Sequence, residues 1–256
     1  MAAWCASSMR LDGKVILVCG AGGLGGPIAM GLAEVGASLA VADVKLDVAR
    51  SVADSLRESG HRAIEIAMDV SRPEECSRAV RDALALGPLW GAVNCAGINI
   101  REPAVEVAED HWDRVIDINL KGAFFFAQAA ARVLIEQGKG GRIVTLSSQL
   151  GLAGFEDRAV YCASKGGIVT LAKALAIEWA PYGITVNTIA PTFIVTPLNE
   201  ASLQKPGLIP RLESRIPMGR LGKPEDLIGA MVFLLSESAG FVTGYTLPVD
   251  GGWFAS

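Results

Sequence analysis

Short apolar runs and amphipathic stretches alternate along this chain of 256 residues. Residues 14–20 (KVILVCG) form an apolar run that ends in glycine, which is typical of a strand buried on both faces. Residues 26–36 form a helical pattern that ends at a glycine, and the same order then repeats. The pattern predicts further strands at residues 38–43, 62–69, 89–97, 141–148, 183–191 and within 241–252, and helices at residues 45–60, 73–87, 109–137, 158–180 and 223–238.

This strand–helix alternation predicts an α/β fold, namely a single Rossmann-type, doubly wound parallel sheet of seven strands with helices on both faces. No linker or repeat interrupts the alternation, so we expect one domain over residues 1–256 with a short arm at residues 1–10. Prolines and mixed polarity predict an irregular substrate lid with short helices over residues 192–222. Gly122 is a possible break in the helix at residues 109–137.

Composition and charge narrow the classes of function. The chain is 51% hydrophobic and 20% charged, which is typical of a globular protein with a large core. A net charge of −4 without a basic run argues against nucleic acid or an anionic membrane as partner. The apolar stretches are interrupted short of the ~20 residues that span a bilayer. Residues 1–14 lack the pattern of a secretion signal, and five scattered cysteines are typical of reduced thiols, so we expect a cytoplasmic protein without a metal site.

A glycine-rich loop follows the first predicted strand. Gly20, Gly22 and Gly25 have the spacing G-x-G-x-x-G, which lets a pyrophosphate approach the backbone at a helix N-terminus. Asp43, at the end of the second strand, can hold ribose hydroxyls and would repel a 2′-phosphate. The pattern therefore favours NAD over NADP, although the nearby Lys45 weakens the preference. The alternatives are a flexible turn and a solvated aspartate.

Tyr161 and Lys165 are four residues apart on a predicted helix and share one face. A tyrosine with an ordinary pKa of about 10 is a poor base at neutral pH, and a neighbouring ammonium group favours its phenolate. Ser148 stands at the carboxyl end of the fifth strand, where open α/β sheets bind ligands, or serves as a helix cap. Asn119 falls inside a predicted helix, where asparagine needs a reason such as a bend or a bound water.

These elements resemble the short-chain dehydrogenases/reductases over nearly the whole chain, from about Leu11 to Trp253. The shared motifs, in order, are the glycine loop, NCAG (94–97), NLKG (119–122), SS (147–148), YCASK (161–165) and VNTIAPTFIVTP (186–197). Within that family, SSQLG (147–151), EWAPYGITVN (178–187) and RIPMGRLGKPEDL (215–227) look most like gluconate, sugar and polyol dehydrogenases.

The resemblance implies a role for each matching residue. Tyr161 would be the acid/base, Ser148 would hydrogen-bond the reacting oxygen, and Lys165 would lower the Tyr161 pKa and hold the nicotinamide ribose. Asn119 would hold a water that relays protons to Lys165. Contacts to the cofactor are implied for Gly20, Gly22, Gly23, Leu24, Gly25, Asp43, Asp69, Val70, Asn94, Ala96, Gly97, Tyr161, Lys165, Pro191, Ile194 and Thr196.

Three positions depart from the family pattern without removing a reacting group. The loop is one residue shorter than the usual T-G-x-x-x-G-x-G, and Cys19 stands for the threonine. In an ungapped alignment, which is the alternative, Cys19 stands at the first glycine instead. Thr192 stands where glycine is usual, and Cys95 replaces a common asparagine or alanine. The departures in the loop make the pyrophosphate contacts the least defined part of the expected site.

We expect the substrate pocket to include Ser148, Gln149, Tyr161 and Arg101, together with the lid. Gln149 and Glu156 suit several hydroxyls, whereas Arg101 and Arg158 are either carboxylate ligands or ordinary surface arginines. The favoured hypothesis is an NAD-dependent oxidoreductase that interconverts a secondary alcohol and a ketone on a small polyol, sugar or sugar acid. The alternatives are an NADPH-dependent 3-oxoacyl-type ketoreductase and a non-catalytic dinucleotide-binding regulatory protein.

The chain end carries two large apolar residues, Trp253 and Phe254. The resemblance implies a homotetramer whose interface would bury them. The alternative is that they close over the lid within one chain.

Overall fold

The computed structural model describes residues 7–196, 203 and 205–255. Within them, seven strands form one parallel sheet in the order β3-β2-β1-β4-β5-β6-β7. The strands are β1 Val15–Cys19, β2 Ser38–Asp43, β3 Ala63–Ala67, β4 Leu89–Asn94, β5 Gly141–Leu146, β6 Ile184–Pro191 and β7 Thr246–Val249. The predicted α/β class is confirmed, and each strand lies inside the range predicted for it.

Helices cover both faces of the sheet, as α1 Gly26–Glu34, α2 Leu46–Glu58, α3 Pro73–Ala83, α4 Glu109–Ile116, α5 Gly122–Gln137, α6 Ala159–Trp179, α7 Leu208–Glu213 and α8 Glu225–Leu235. One apolar core contains α1, α2 and α8, and the other contains α3, α5 and α6. Val15, Leu17 and Cys19 of β1 enter one core, whereas Ile16 and Val18 enter the other. The apolar run of β1 is continuous because both faces of the strand are buried.

Two helical stretches, Glu109–Gln137 and Ala159–Tyr182, are long and apolar enough to cross a membrane by length and composition alone. This corrects the expectation that every apolar stretch is too short. Of the most apolar window of each, 50% and 44% of the residues are buried inside the protein. Phe126, Leu134 and Leu175 on these stretches belong to the core beside the sheet, so packing within the fold accounts for their apolar character.

The sequence suggested a possible break at Gly122 in the helix at residues 109–137. The structure shows no break at this residue. A five-residue π-helical segment, Asp117–Lys121, joins α4 to α5, and Gly122 itself has helical backbone angles. A Cβ at Gly122 would lie 2.9 Å from the carbonyl oxygen of Val70, so close packing requires the glycine. The irregular turn instead contains Asn119, and such π segments frequently occur at functional sites.

The described part of the lid contains α7 and a strand-like bridge between Ile194 and Gly222. Residues 197–202 and 204 of the predicted lid, and residues 1–6 of the arm, lie outside the described residues. The lid has its own small apolar cluster, separate from the two sheet cores, which contains Leu203, Leu212, Ile216, Leu221 and Trp253.

Trp253 therefore closes onto the lid within a single chain, the second of the two alternatives. Its ring centroid lies 5.8 Å from that of Phe193, and the guanidinium carbon of Arg215 lies 4.3 Å from the indole centroid. Trp253 is only 8% exposed, whereas its neighbour Phe254 remains 40% exposed. The two aromatic residues of the chain end thus have different surroundings.

Candidate active site

The strand order reverses beside β1, which has β2 on one side and β4 on the other. Open α/β sheets bind ligands at the carboxyl ends of their strands next to such a switch point. A cleft of about 540 Å³ lies at these strand ends. It is lined by these residues of the expected site: Gly23, Leu24, Gly97, Arg101, Ser148, Gln149, Tyr161, Lys165, Pro191, Ile194 and Thr196.

Tyr161 and Lys165 lie one helical turn apart near the start of α6, and both face the cleft. The Nζ atom of Lys165 lies 5.8 Å from the centroid of the Tyr161 ring and donates a 2.7 Å hydrogen bond to the carbonyl oxygen of Leu146. Burial disfavours the ammonium form and lowers the pKa of Lys165 to about 8. The predicted spacing thus brings the phenol and the amine to one wall of the cleft.

Burial raises the pKa of Tyr161 above its ordinary value, while the Ser148 hydroxyl and the Arg158 guanidinium each oppose that rise. Lys165 was expected to lower the Tyr161 pKa, but it is not among the groups that do so in the structure of the chain without a ligand. The charged group that favours the phenolate here is Arg158, three residues before Tyr161. The sequence analysis identified the charge of Lys165, one turn after Tyr161, but not the influence of Arg158, which precedes Tyr161.

Ser148 follows β5 and caps the short 3₁₀ helix Gln149–Gly151, because its Oγ accepts a 3.1 Å hydrogen bond from the Leu150 amide. The capping role and the proposed active-site role are therefore compatible, since the hydroxyl also faces the cleft. The cap fixes where the Ser148 side chain stands relative to Tyr161.

Asn119 does not line the cleft but lies directly behind Gly97. Its side chain accepts from the Ile98 amide at 2.8 Å and donates to the Ile98 carbonyl at 2.9 Å and to the Ser164 hydroxyl at 3.0 Å. A Cβ at Gly97 would lie 3.3 Å from both the Oδ1 of Asn119 and the Nζ of Lys165. Asn119 thus ties the chain after β4 to α6, next to the lysine.

The glycine loop packs so closely that side chains would not fit. Gly20 has a positive φ of 86°, and a Cβ there would lie 2.6 Å from the Ala96 amide nitrogen. A Cβ at Gly25 would collide with the carbonyl oxygen of Gly20. Helical winding begins at once after Gly20, and Gly23 and Leu24 face the cleft. A narrow, glycine-rich turn that leads into a helix fits a pyrophosphate group although the loop is one residue shorter than usual.

Asp43 ends β2 beside this loop. Its carboxylate accepts a 3.3 Å hydrogen bond from the Gly22 amide and a 3.0 Å hydrogen bond from the Lys45 amide. The Lys45 side chain makes no ion pair with Asp43 among the described residues. The Asp43 carboxylate thus lies next to the shortened loop, as the sequence indicated, and forms no ion pair within the described part of the chain.

Asp69, Val70, Asn94 and Ala96, which were also expected at the cofactor, are not among the residues that line the cleft. Asp69 accepts hydrogen bonds from the amide and hydroxyl of Ser71, and Val70 packs on Gly122. The Oδ1 of the buried Asn94 accepts a 2.9 Å hydrogen bond from the Ala96 amide, which orders the chain after β4. The Nδ2 of Asn94 has no partner among the described residues.

The polar residues of the substrate end differ from expectation in three ways. Glu156 does not line the cleft, because its carboxylate is paired with Arg211 at 2.5 Å on the exposed side of the lid. Arg158 is not a surface arginine, since it is 8% exposed and faces the cleft. Thr192 was noted in the sequence only as a departure, yet its buried Oγ1 faces the cleft region without a partner among the described residues.

Comparison with known proteins agrees with this geometry. A family model described as enoyl-(acyl carrier protein) reductase, of the short-chain dehydrogenase type, matches residues 20–254. The chain belongs to the short-chain dehydrogenase/reductase family. Membership makes it an oxidoreductase that acts on CH–OH groups with a nicotinamide dinucleotide cofactor.

Several members of the short-chain dehydrogenase/reductase family are similar over nearly the full length. The 2-dehydro-3-deoxy-D-gluconate 5-dehydrogenase of Dickeya dadantii is 37% identical over 97% of this chain and 98% of its own. The NAD-dependent glycerol dehydrogenase of Listeria innocua is 36% identical over 95% of both chains. A crystal structure of gluconate 5-dehydrogenase from Burkholderia cenocepacia with NADP and tartrate has a TM-score of 0.94, at 35% identity over 98% of this chain and 99% of that one.

Proposed function

We propose that this protein is an NAD-dependent dehydrogenase that interconverts a secondary alcohol and a ketone on a small polyol, sugar or sugar acid. The proposal depends mainly on one observation: Ser148, Tyr161 and Lys165 line the same cleft as the glycine loop. A substrate oxygen at Ser148 and Tyr161 would therefore stand beside the space for a nicotinamide ring. The names of the relatives support small hydroxylated substrates.

In the direction of oxidation, the Tyr161 phenolate would take the proton of the substrate hydroxyl, and Ser148 would donate a hydrogen bond to the same oxygen. When bound, the oxidised nicotinamide supplies the hydride acceptor and an additional positive charge. Because burial raises the Tyr161 pKa, the phenolate needs such positive charge nearby. Lys165 would supply part of this positive charge and hold the nicotinamide ribose. Asn119 would position Ile98 and hold a water that relays protons to Lys165.

The preference for NAD rests on Asp43. Its carboxylate would bind two ribose hydroxyls, and it would repel a 2′-phosphate, an effect that the nearby Lys45 weakens. The named relatives include an NAD-dependent enzyme and one crystallised with NADP, so fold alone does not decide this preference. Asp43→Ser should therefore lower kcat/KM with NAD and raise the ratio of NADP to NAD use. An unchanged ratio would show that Asp43 does not select the cofactor.

A substrate panel tests the activity itself. Purified protein is assayed with polyols, aldoses, aldonates, steroids and hydroxyacyl thioesters in the presence of NAD or NADP. The rate at which the reduced cofactor forms is measured. We expect turnover with hydroxylated compounds, lowered ~10²–10⁴-fold in Tyr161→Phe because the acid/base is lost. Tyr182→Phe, at an exposed tyrosine beyond α6, is the matched control and should retain full activity. Turnover confined to steroids or thioesters contradicts the proposal.

We also propose that the protein forms a homotetramer and acts in the cytoplasm. Apolar residues that remain exposed on the single chain, among them Ile177, Phe241 and Tyr245, support further association. Light scattering should give four times the 26.8 kDa chain mass, and a monomer at micromolar concentration would exclude the tetramer.

A further inference from the structure

Arg158 is a buried cation without a described partner. It precedes α6, is 8% exposed and lines the cleft, and its Nη1 atom has no hydrogen-bond partner among the described residues. Neither does any described carboxylate lie within 4.0 Å of its guanidinium nitrogens. Buried charges in proteins are normally paired, because an unpaired one loses its hydration without compensation.

Two acidic residues near Arg158, one along the chain and one through the backbone of Asp157, are paired with other side chains. Glu156 is paired with Arg211 on the lid, and Glu102 is paired with His111 at 2.9 Å. Asp157 is exposed and is the only non-glycine residue with a positive φ, at 56°, in the described part of the chain. Strained backbone of this kind clusters at ligand sites, and here it immediately precedes the buried cation.

A second cation faces the same cleft. Arg101 lines it from the chain after β4, is exposed, and has no ion pair among the described residues. Burial lowers the Arg158 pKa most, the charge of Arg101 lowers it further, and the neighbouring Asp157 carboxylate opposes the shift. Two like charges at one end of a cleft repel each other until an anion lies between them.

Gln149 adds an uncharged polar side chain to the same cleft. It is 1% exposed, follows Ser148 directly, and lines the cleft, yet neither its Oε1 nor its Nε2 has a partner among the described residues. An amide offers both donors and an acceptor, which suits hydroxyl groups. Buried polar atoms without partners in a cleft are expected to meet a ligand.

We propose that Arg158 is a carboxylate-binding, specificity-determining residue, assisted by Arg101 at the mouth of the cleft and by Gln149 on the hydroxyls. The substrate is then a polyhydroxy carboxylic acid of the sugar-acid class rather than a neutral polyol. This inference rests on the proposed function and narrows its substrate. A guanidinium binds a carboxylate through two parallel charge-assisted hydrogen bonds, which a neutral terminal hydroxyl cannot replace.

The first test compares D-gluconate with D-glucitol, which have the same carbon skeleton but differ at the terminal group. The wild-type protein should prefer the acid, and Arg158→Gln should lower the ratio of kcat/KM for the acid to that for the polyol by ~10²-fold. Both values are measured at a pH above the acidic limb, where a shift of the Tyr161 pKa affects neither. For the acid, kcat/KM of Arg158→Lys should lie between the values of wild type and Arg158→Gln, since lysine retains the charge without the bidentate geometry. Arg132→Gln, at an exposed arginine of α5, is the control and should leave both values unchanged.

A second measurement needs neither cofactor nor turnover. Binding of glutarate, a carboxylate without hydroxyls, is measured by calorimetry to wild type, Arg158→Gln and Arg132→Gln after their melting temperatures confirm folding. We expect binding to wild type and to Arg132→Gln, and at least ~10-fold weaker binding to Arg158→Gln. Equal binding by all three, or no binding, overturns the carboxylate subsite even if polyols are oxidised. No turnover on the whole panel together with Arg158-dependent glutarate binding instead refutes the proposed function.

Discussion

Replacing Trp253 with alanine would remove the indole that joins the chain end to the lid. Truncation of a buried aromatic side chain costs about 3–5 kcal/mol, and the lost contact with Arg215 accounts for about 0.5–1 kcal/mol of this. The cluster around Trp253 is separate from both sheet cores, so we expect the loss to fall on lid closure rather than on global unfolding. At 1.4 kcal/mol per tenfold, about 3 kcal/mol lowers the ratio of closed to open lid by ~10².

Steady-state kinetics on the best substrate of the panel should then show KM raised by up to ~10²-fold, with a smaller change in kcat because Tyr161 is untouched. Hydrogen exchange at residues 205–216 should become faster, while the melting temperature changes little. Phe254→Ala is the matched control, since its ring is 40% exposed, and it should change KM by less than ~3-fold. Equal effects of the two variants would refute the reasoning, as would a large fall in melting temperature with unchanged exchange in the lid.

Three further results are expected. Gly20→Ala should lower the free energy of unfolding, measured by urea titration, by at least about 2 kcal/mol. The reason is that Gly20 has a φ of 86° and that a Cβ would lie 2.6 Å from the Ala96 backbone nitrogen. A variant as stable as wild type would contradict the close packing. Arg158→Gln should raise the Tyr161 pKa, since the charge that favours the phenolate is lost. The acidic limb of kcat/KM for a neutral polyol should therefore move to higher pH, and an unmoved limb would exclude this influence. Glu102 raises the pKa of His111 through a hydrogen bond, so Glu102→Gln should bring the His111 pKa observed by NMR down towards its ordinary value, and an unchanged titration would show that the pair is absent in solution.

The inner strands were predictable because nearly all of their residues are buried, whereas the edge strands β3 and β7 are only partly buried. In β1, alternate residues enter opposite cores, so the whole run had to be apolar whatever its neighbours were. The glycine loop was predictable for a related reason. Its φ value and tight turn are local properties that only glycine tolerates, and the sequence places it between a strand and a helix.

Asn119 shows the limit of such reasoning. Its presence inside a helix was unusual enough to be noticed, but the π-helical segment around it and its bonds to Ile98 and Ser164 could not be derived from spacing. Those partners lie 21 and 45 residues away along the chain. Gly122 was misjudged for the same reason, because Val70, the residue that requires the glycine, belongs to the segment after β3.

The sequence by itself determined the α/β architecture, the position of the glycine loop and the placement of Tyr161 and Lys165 on one helical face, because these follow from periodicity and backbone preference over a few residues. Only the tertiary structure decided that Arg158 is buried in the cleft, that Glu156 is engaged with Arg211, and that Trp253 closes on the lid. The free energy of a charge or a ring depends on which distant segments surround it, and that environment exists only after the chain has folded.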